Sequence, residues 1–314
     1  MSASPFSNPT GPVVAYTFDR NYAPYAVVSM ASVQAHCAAP IQFYCLVPKD
    51  DQGQFTVFDQ LLNRGFRIKF VEIDMSYFAG WPASGRFPLS TYARLLLPKL
   101  LDEQVIVYLD PDTVAYRDIE PIFKIPLGSN LIAAALDIAP DYHAVSKIMS
   151  DSYSNAGVMI MNLQAFDKNY LDDVGGIMRR YGEQLTAFDQ CIINLYTDGR
   201  KLHLESCWNQ LFIGDQLLIS DWKSKLIDPE TKIAHYAASP KPWSDWAHPQ
   251  VRAHWNELVR GYGLSGIPDV PIGTTLHLEQ LAHLHDINAE YRQASAVKTI
   301  LIQQLKNKLR SAIA

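Results

Sequence analysis

Two carboxylates at the end of an apolar run are the side chains of this sequence best suited to chemistry. The run VIVYLDPD, Val105–Asp112, ends in Asp110 and Asp112 with one proline between them. Carboxylates this close repel each other unless a cation lies between them, and a hard divalent ion is the simplest partner. Together with Thr113 the pair also matches DxDxT, the nucleophile motif of phosphatase-like hydrolases. A metal site, a hydrolase nucleophile and a solvated strand end are therefore the three interpretations of this pair.

The run that carries the acid pair predicts a strand buried on both faces, which is typical of the centre of a mainly parallel sheet. Pro111 removes a backbone donor and ends the strand. In open α/β sheets, ligands bind at the carboxyl ends of the strands. Three more predicted strands precede an acid or an amide, which predicts a polar rim along one edge of the sheet: Val13–Phe18 before Asp19, Leu131–Leu136 before Asp137, and Gly157–Met161 before Asn162.

The remaining elements alternate between strands and helices, so the sequence predicts an α/β fold with right-handed crossovers. The predicted strands are Ile41–Leu46, Arg67–Ile73 and Lys232–His235, and the predicted helices begin at Pro24 or span Gln54–Leu62, Ser90–Pro98, Leu171–Tyr181 and Ala187–Tyr196. Ser90 or Thr91 is the expected N-cap of the third helix. No GxGxxG pattern follows the first strand, which disfavours a dinucleotide-binding half.

Three further polar residues have both a structural and a functional interpretation. His235 ends a strand and is a candidate to share an ion with the acid pair, although a lone histidine is more often a hydrogen-bonded structural residue. Arg94 is either a surface side chain or a fork for phosphate or carboxylate. Asp189 opens a helix, where the helix dipole alone accounts for an acid. The residue types leave these alternatives open.

Composition excludes several classes of protein. With 314 residues and 48% hydrophobic content, the chain can bury a sizeable core. Its formal net charge of -5 gives no basic field, so nucleic acid is not an expected partner. The four cysteines are far apart, which predicts neither a zinc knuckle nor a disulfide framework. The sequence has no secretory signal and no apolar run of the ~18 residues that a membrane span needs, so a cytoplasmic location is expected.

The sequence predicts four segments: a flexible N-terminus over 1–12, a catalytic domain over 13–250, a linker and surface segment over 251–286, and a C-terminal helix over 287–314. In the last segment, the apolar residues Val297, Leu301, Leu305 and Leu309 recur every four positions, and basic residues lie between them. Such a basic amphipathic helix either lies on an anionic membrane or packs on protein. Both interpretations stay open, and the first would place the protein on the cytoplasmic face of the inner membrane.

Several motifs, in the same order along the chain, resemble glycosyltransferase family 8. They are FDRNY at Phe18–Tyr22, TYARLLLP at Thr91–Pro98, YLDPD at Tyr108–Asp112, NAG at Asn155–Gly157, FDQ at Phe188–Gln190 and HYxxxxKPW at His235–Trp243. The family comprises retaining enzymes, among them bacterial lipopolysaccharide galactosyl- and glucosyltransferases. The resemblance covers Val13–Trp243 and implies the GT-A fold, a Rossmann-like, mainly parallel sheet flanked by helices, here with a helical C-terminal extension.

The resemblance also implies a role for each matched residue. Asp110, Asp112 and His235 would bind Mn²⁺, or Mg²⁺ in its place, and the nitrogen ligand favours Mn²⁺. The implied nucleotide and diphosphate contacts are Thr17, Asp19, Asn21, Tyr22, Ala238 and Lys241. The implied donor-sugar contacts are Arg94, Asp137, Asn155, Gly157, Asp189 and Gln190, and the last two are the implied catalytic residues.

Retention of configuration needs either a covalent intermediate or attack on the face from which the nucleotide leaves. The resemblance places Gln190 near the anomeric carbon. Because an amide is a poor nucleophile, front-face attack is expected, with the Gln190 carbonyl stabilising positive charge. Cys191 stands where close relatives have a second acid, and Ala238 stands where they have glycine. The segment Asp137–Tyr153 differs from theirs, so the resemblance does not choose the sugar or the acceptor.

The expected function is transfer of galactose or glucose from a UDP-sugar to a glycan, either the lipopolysaccharide core or a related surface saccharide. The hydrolase interpretation lacks its downstream acidic pair, because Asp172 and Asp173 begin a helix instead of ending a strand. A GT-A domain that binds a nucleotide sugar without catalysis is the remaining alternative.

Overall fold

The computed structural model describes residues 11–51, 55–83, 88–212, 228–237, 239–287 and 291–313. The chain divides into two compact units. The described residues up to Gln210, together with Thr231–His235, form the first unit, and the second lies mainly from Tyr236 onward. All three predicted metal ligands therefore belong to the first unit.

The first unit is built around a mainly parallel sheet. In chain order, strands β1 to β10 are Val13–Thr17, Gln42–Pro48, Arg67–Ile73, Val105–Leu109, Thr113–Ala115, Ile132–Leu136, Ser154–Asn162, Lys201–Leu204, Gln210–Leu211 and Ile233–His235. Seven of them form one sheet in the order β3-β2-β1-β4-β7-β6-β8. Neighbours are parallel except that β7 is antiparallel to both β4 and β6. The predicted α/β fold is confirmed, and β4, which precedes the acid pair, is the central strand.

The direction of β7 changes which residues meet at the functional edge. Val105 at the start of β4 pairs with Asn162 at the end of β7. The prediction that Asn162 joins the polar rim is therefore wrong, because it lies at the opposite end of β4 from the acid pair. The rim instead receives the start of β7, where the Gly157 carbonyl accepts from the backbone N–H of Asp110 at 2.7 Å.

A second, smaller sheet brings the predicted last strand to the acid pair. β10 is antiparallel to β5, and His235 lies opposite Thr113. The sequence predicted β10 but not β5, because a strand of 3 residues directly after Asp112 is too short to show a pattern. This pairing places an imidazole from much later in the chain beside the carboxylates that follow β4.

Of the described helices, the first five belong to the first unit and the last three to the second. Helices α1 to α8 are Ala23–Ala35, Asp59–Leu62, Leu97–Leu100, Tyr170–Tyr181, Phe188–Tyr196, Pro249–Gly261, Thr275–Ile287 and Tyr291–Ile313. As predicted, Pro24 lies in the first turn of α1, where its missing N–H costs no hydrogen bond. The helix expected over Gln54–Leu62 is shorter: a 3-10 turn at Thr56–Phe58 leads into α2, and Gln54 lies outside the described residues.

The segment around Arg94 is a 3-10 helix, Leu89–Leu96, which continues into α3. The prediction that Ser90 or Thr91 caps it is wrong, because Pro88 is the N-cap residue and has no side chain that can accept a hydrogen bond. The Thr91 hydroxyl instead donates to the Pro88 carbonyl at 2.9 Å. This segment shares a buried apolar core with α4, α5 and the main sheet, so burial fixes the backbone that carries Arg94.

The C-terminal part of the chain is more helical than expected. α6 and α7 occupy much of 251–286, where the sequence predicted a linker and surface segment. That expectation came from the glycines and prolines of 262–274, and these residues do separate the two helices. It overlooked α6, which buries Val251 and Trp255 at helical spacing. The division of the chain into four segments stays a prediction, and residues 1–10 lie outside the described part.

The predicted basic C-terminal helix is present as α8. Its first half is held on α7, since Val297 is buried in a shared cluster and Lys298 lies 2.6 Å from Asp286. Farther along, three apolar side chains are about half exposed, namely Ile300, Ile302 and Leu305. Among the described helices, none is both long enough and apolar enough to cross a membrane.

Candidate active site

Two carboxylates and one imidazole meet at the carboxyl end of β4. One ligand atom each from Asp110, Asp112 and His235 lies within 4.8 Å of the others. The His235 Nε2 atom is 3.3 Å from Asp112 Oδ1 and 3.7 Å from Asp110 Oδ2. Asp112 and His235 are buried, and Asp110 is partly exposed. The structure therefore brings the three predicted metal ligands together.

A chain of amide hydrogen bonds fixes which nitrogen of His235 carries the hydrogen. The Gly157 backbone N–H donates to Asn155 Oδ1 at 3.0 Å. Asn209 Nδ2 donates to the same oxygen at 2.9 Å, which leaves Asn209 Oδ1 to face His235 Nδ1 at 3.0 Å. An amide oxygen only accepts, so the hydrogen is on Nδ1 of His235.

This placement of the hydrogen tests whether the site fits a metal ion. In the neutral ring, the Nε2 lone pair of His235 faces two carboxylates, an arrangement that is repulsive unless a cation lies between them. A metal-binding histidine usually donates its other ring N–H to an acceptor, as His235 does to Asn209. Two carboxylate oxygens and one imidazole nitrogen thus fit a divalent ion.

Arg94 is buried between the acid pair and α5. Its Nη2 lies 2.8 Å from Asp110 Oδ1, its Nε lies 2.9 Å from Asp189 Oδ2, and its Nη1 donates to the Ala156 carbonyl at 3.0 Å. The guanidinium carbon is also 4.7 Å from the centre of the Tyr108 ring. Burial disfavours the charge, but Asp110 and Asp189 outweigh burial and raise the pKa of Arg94. The surface interpretation of Arg94 is wrong, because the side chain forks between two carboxylates.

Asp189 is almost fully buried at the start of α5, with 3% of its surface exposed. Burial raises the pKa of its carboxyl to about 6, although Arg94 beside it opposes the rise. The helix dipole favours an acid at this position, and the contact with Arg94 supplements it. Directly before it, Phe188 has a left-handed backbone with φ 40°, which is uncommon outside glycine and often marks a functional site.

Three of the predicted sugar-side residues, Asp137, Asn155 and Gln190, form one hydrogen-bonded group. Gln190 Oε1 accepts from the Ala156 backbone N–H at 3.0 Å, and Gln190 Nε2 donates to Asp137 Oδ2 at 3.2 Å. Asn155 Nδ2 donates to the same carboxylate oxygen at 3.3 Å. Gln190 and Asp137 are partly exposed, so this group has polar atoms that a ligand can reach.

Tyr153 and Cys191 complete the surroundings of Gln190. The Tyr153 hydroxyl accepts from Gln190 Nε2 at 3.3 Å and lies 3.1 Å from the Cys191 sulfur. Cys191 is fully buried, and burial raises the pKa of its thiol, which keeps it protonated. The position where close relatives were expected to carry an acid therefore supplies no carboxylate next to Gln190.

Tyr108 links the end of β1 to the acid pair. Its hydroxyl donates to Asp110 Oδ1 at 2.7 Å, so it accepts from the Thr17 hydroxyl at 2.9 Å. Thr17 was predicted to contact the nucleotide. The structure places it one side chain away from the metal site.

The other predicted nucleotide residues are brought together only in part. Asp19 Oδ1 accepts from the backbone N–H groups of Asn21 and Tyr22 at 2.9 and 3.3 Å, so the Asp19 carboxylate stabilises the turn of this loop. The Lys241 ammonium donates to the backbone carbonyl of Tyr236, and both residues belong to the second unit. Ala238 lies outside the described residues.

Comparison with known proteins identifies the family. The sequence matches the family described as Glycosyl transferase family 8 over residues 13–247. The chain belongs to this family. Membership confirms the predicted resemblance and the predicted enzyme class, a hexosyltransferase. The hydrolase and the non-catalytic interpretations are set aside.

Similar proteins include bacterial family members of known name. A Haemophilus influenzae protein named only as a glycosyltransferase is 26% identical over 280 residues, which cover 86% of this chain and 84% of that protein. The lipopolysaccharide 1,2-glucosyltransferase of Escherichia coli strain K12 is 26% identical over 253 residues, which cover 76% and 75%. The structure of galactosyltransferase LgtC with donor and acceptor sugar analogs matches with a TM-score of 0.68 at 24% identity, over 82% of this chain and 98% of LgtC. This last likeness confirms the GT-A fold.

Three polar residues of this family 8 site were missed from the sequence, namely Tyr108, Tyr153 and Asn209. Tyr108 was counted as part of an apolar run. Its role could have been predicted, because a buried tyrosine hydroxyl needs a hydrogen-bond partner. Asn209 lies outside every motif that carried the resemblance, so the sequence held no signal for it.

We expect Gly157→Ala to disturb the metal site of this family 8 enzyme. A methyl group there would lie 2.0 Å from His235 Cε1 and 2.5 Å from its Nδ1, so the imidazole would have to move. Overpacking of this kind costs about 1–3 kcal/mol, and binding of a divalent ion at the candidate site, with Mn²⁺ as the probe, should weaken as well. The measurements are the free energy of unfolding in urea and Mn²⁺ titration.

The matched control is Gly176→Ala in α4, where the nearest atom to the new methyl is Arg179 Nη2 at 3.8 Å. This change should stabilise the protein by ~0.4–1 kcal/mol through the unfolded state. Wild-type stability and Mn²⁺ affinity in Gly157→Ala would contradict the close packing of Gly157 on His235.

Asp189 should make stability depend on pH in the acidic range. Its folded-state pKa of about 6 lies above the unfolded value of ~3.9, so between these values the folded protein binds a proton that the unfolded chain has lost. The free energy of unfolding should therefore fall as the pH rises from about 4 to about 6, by up to ~1.4 kcal/mol per pH unit. Asp189→Asn should remove this slope.

The measurement is urea unfolding of the metal-free protein at several pH values in that range. The control is Asp173→Asn, which changes an exposed carboxylate on α4 and should keep the wild-type slope. An unchanged slope in Asp189→Asn would show that Asp189 is not the titrating group.

Proposed function

We propose that this family 8 enzyme transfers galactose or glucose from a UDP-sugar to a glycan acceptor, with retention of configuration and with Mn²⁺. The proposed acceptor is the lipopolysaccharide core or a related surface saccharide. The observation that carries the proposal is the cluster of Asp110, Asp112 and His235 in the same unit as the group around Gln190. Similar proteins are named for lipopolysaccharide glucosyl transfer and for galactosyl transfer, which supports a hexose donor and a saccharide acceptor.

The ligand atoms support Mn²⁺ over Mg²⁺. Mg²⁺ prefers oxygen ligands, whereas a site with one imidazole and two carboxylates suits Mn²⁺. When bound, such an ion neutralises the diphosphate and favours the departure of UDP. Asp110 is a proposed ligand through Oδ2, because its Oδ1 already accepts from Arg94 and Tyr108 while Oδ2 faces His235.

Gln190, Asp137 and Asn155 are the proposed contacts of the donor sugar. Asp137 and Gln190 are partly exposed, and their hydrogen bonds to each other fix their orientation. Asp189 is buried against Arg94, so its proposed role is to hold Arg94 in place beside the sugar. Gly157 contributes by leaving room for the His235 ring.

The surroundings of Gln190 support front-face attack. A double displacement needs a nucleophile near the anomeric carbon, and an amide is a poor one. The next residue is a buried, protonated Cys191 and not an acid, and the carboxylate oxygen that Gln190 does contact, Asp137 Oδ2, already accepts from Gln190 Nε2 and Asn155 Nδ2. One lone pair of Gln190 Oε1 is bound to the Ala156 N–H, and the second is available to face developing positive charge on the sugar.

The nucleotide is assigned to the loop after β1. Thr17, Asp19, Asn21 and Tyr22 are the proposed uridine contacts, and the turn around Asp19 supports a preformed loop. Lys241 and Ala238 are the proposed contacts of the diphosphate, with Lys241 supplying a point charge.

A donor panel tests the proposed reaction. We expect UDP release from UDP-galactose or UDP-glucose with Mn²⁺, slower release with Mg²⁺, and none with a chelator. Asp110→Asn should lower kcat/KM at least ~100-fold, since losing one ligand removes stabilisation of the leaving group worth several kcal/mol. Asp173→Asn, which changes an exposed acid on α4, should behave like wild type. The proposal is wrong if no UDP-hexose reacts and Asp110→Asn is indistinguishable from wild type.

We also propose that α8 contacts the cytoplasmic face of the inner membrane, where a lipid-linked acceptor would lie. The exposed apolar residues Ile300, Ile302 and Leu305 support this contact. They are followed by exposed basic residues, namely Lys306, Lys308 and Arg310. A helix with apolar and basic residues of this kind binds anionic lipid surfaces, and each basic residue near the surface contributes about 1 kcal/mol.

Flotation with anionic vesicles tests this contact. The double variant Ile302→Asp with Leu305→Asp should float less than wild type, because it puts charge where apolar side chains would enter the lipid. Gln303→Asp adds a charge at an exposed polar position of the same helix and should have a smaller effect. Equal flotation of the double variant and wild type would rule out the contact.

A further inference from the structure

Asn209 is a buried amide that joins the two halves of the site. Only 2% of its surface is exposed. It follows the 3-10 turn Ser206–Trp208 and lies between His235 and Asn155. Both ends of its amide are used: Oδ1 accepts from His235 Nδ1 at 3.0 Å, and Nδ2 donates to Asn155 Oδ1 at 2.9 Å.

The orientation of this amide is determined by the backbone. Asn155 Oδ1 also accepts from the Gly157 N–H, so it can only be an oxygen, and Asn209 must present its NH₂ group to it. The opposite orientation would place two amide oxygens against each other, Asn209 Oδ1 and Asn155 Oδ1. Asn209 therefore has one hydrogen-bonded state.

The same chain of bonds continues to the sugar side. Asn155 Nδ2 donates to Asp137 Oδ2, which also accepts from Gln190 Nε2. His235, Asn209, Asn155, Asp137 and Gln190 are thus connected by consecutive hydrogen bonds, all within the first unit.

We infer that Asn209 is a positioning residue: it holds the His235 ring with Nε2 directed at the two carboxylates, and through Asn155 it fixes that ligand relative to the sugar-side group. This inference rests on the metal site of the proposed function. Acceptors that orient a metal-binding histidine typically change metal affinity by 10–100-fold when they are removed.

Two substitutions of Asn209 distinguish a positioning role from a role in packing alone. Asn209→Leu keeps a similar volume but leaves the Nδ1–H of His235 without an acceptor, so the Mn²⁺ dissociation constant should rise roughly 10–100-fold. Asn209→Asp keeps an oxygen for that N–H but sets its other oxygen against Asn155 Oδ1, so it should lose the bond to Asn155 and still lose less Mn²⁺ affinity than Asn209→Leu. A role limited to packing predicts no such difference between the two variants. If Asn209→Leu does not fold, Asn209→Ala replaces it.

Asn194 supplies the matched control. It is equally buried, at 1% exposure, and its amide bonds go to Ser154, Gln190 and Lys201 and not to His235. Asn194→Leu should lower the unfolding temperature, as Asn209→Leu does, because both leave buried polar groups unpaired. It should leave the affinity for Mn²⁺ unchanged.

The experiment is titration of the metal-free full-length proteins with Mn²⁺, in which the free ion is measured by electron paramagnetic resonance, with and without UDP. A second readout is the Mn²⁺ dependence of turnover: saturating Mn²⁺ should restore much of kcat in Asn209→Leu. Wild-type Mn²⁺ affinity in Asn209→Leu, or an equal loss in Asn209→Asp, would overturn the inference while leaving the proposed function intact. Failure of the wild-type protein to bind Mn²⁺ would instead overturn the metal site and, with it, the inference.

Discussion

The guanidinium of Arg94 is buried between Asp110 and Asp189, and the geometry of the site depends on this arrangement. It joins three elements, because Arg94 lies on a 3-10 helix, Asp110 follows β4 and Asp189 opens α5, and it also binds a carbonyl of β7. Removal of the cation would leave two acids in a poorly hydrated environment, which is costly for buried pairs. Arg94 also gives the two oxygens of Asp110 different environments. Oδ1 is bound to Arg94 and Tyr108, and Oδ2 remains for a metal.

Hydrogen bonds from backbone N–H groups fix the orientation of further side chains across the site. The Gly157 N–H determines the orientation of Asn155, and the Ala156 N–H determines that of Gln190. A backbone N–H can only donate, so each side-chain amide bound to it has one stable orientation. The site is thus organised before any substrate arrives, which is the condition under which electrostatic stabilisation of a transition state is most effective.

Much of this was predictable from the sequence, and the exceptions have physical causes. The run before Asp110 predicted a central buried strand because it is continuously apolar, and β4 is that strand. The cluster of three candidate metal ligands followed from residue chemistry and from the resemblance to a family. The direction of β7 did not follow, since an apolar run has the same pattern in either direction, and Asn162 was placed at the wrong edge for that reason. Asn209 depends on tertiary contacts alone, and no local pattern precedes it.

The short segment Asn155–Gly157 has little freedom to vary. Because β7 is antiparallel to β4, the start of β7 lies beside the acid pair. The Asn155 side chain is bound to Asn209, and backbone groups of the segment are bound to Arg94, Gln190 and Asp110. The third position, Gly157, has no room for a side chain. A substitution there would alter the metal side and the sugar side together. Three consecutive residues at the start of one strand therefore couple the geometry of the candidate metal site to that of the sugar-side group.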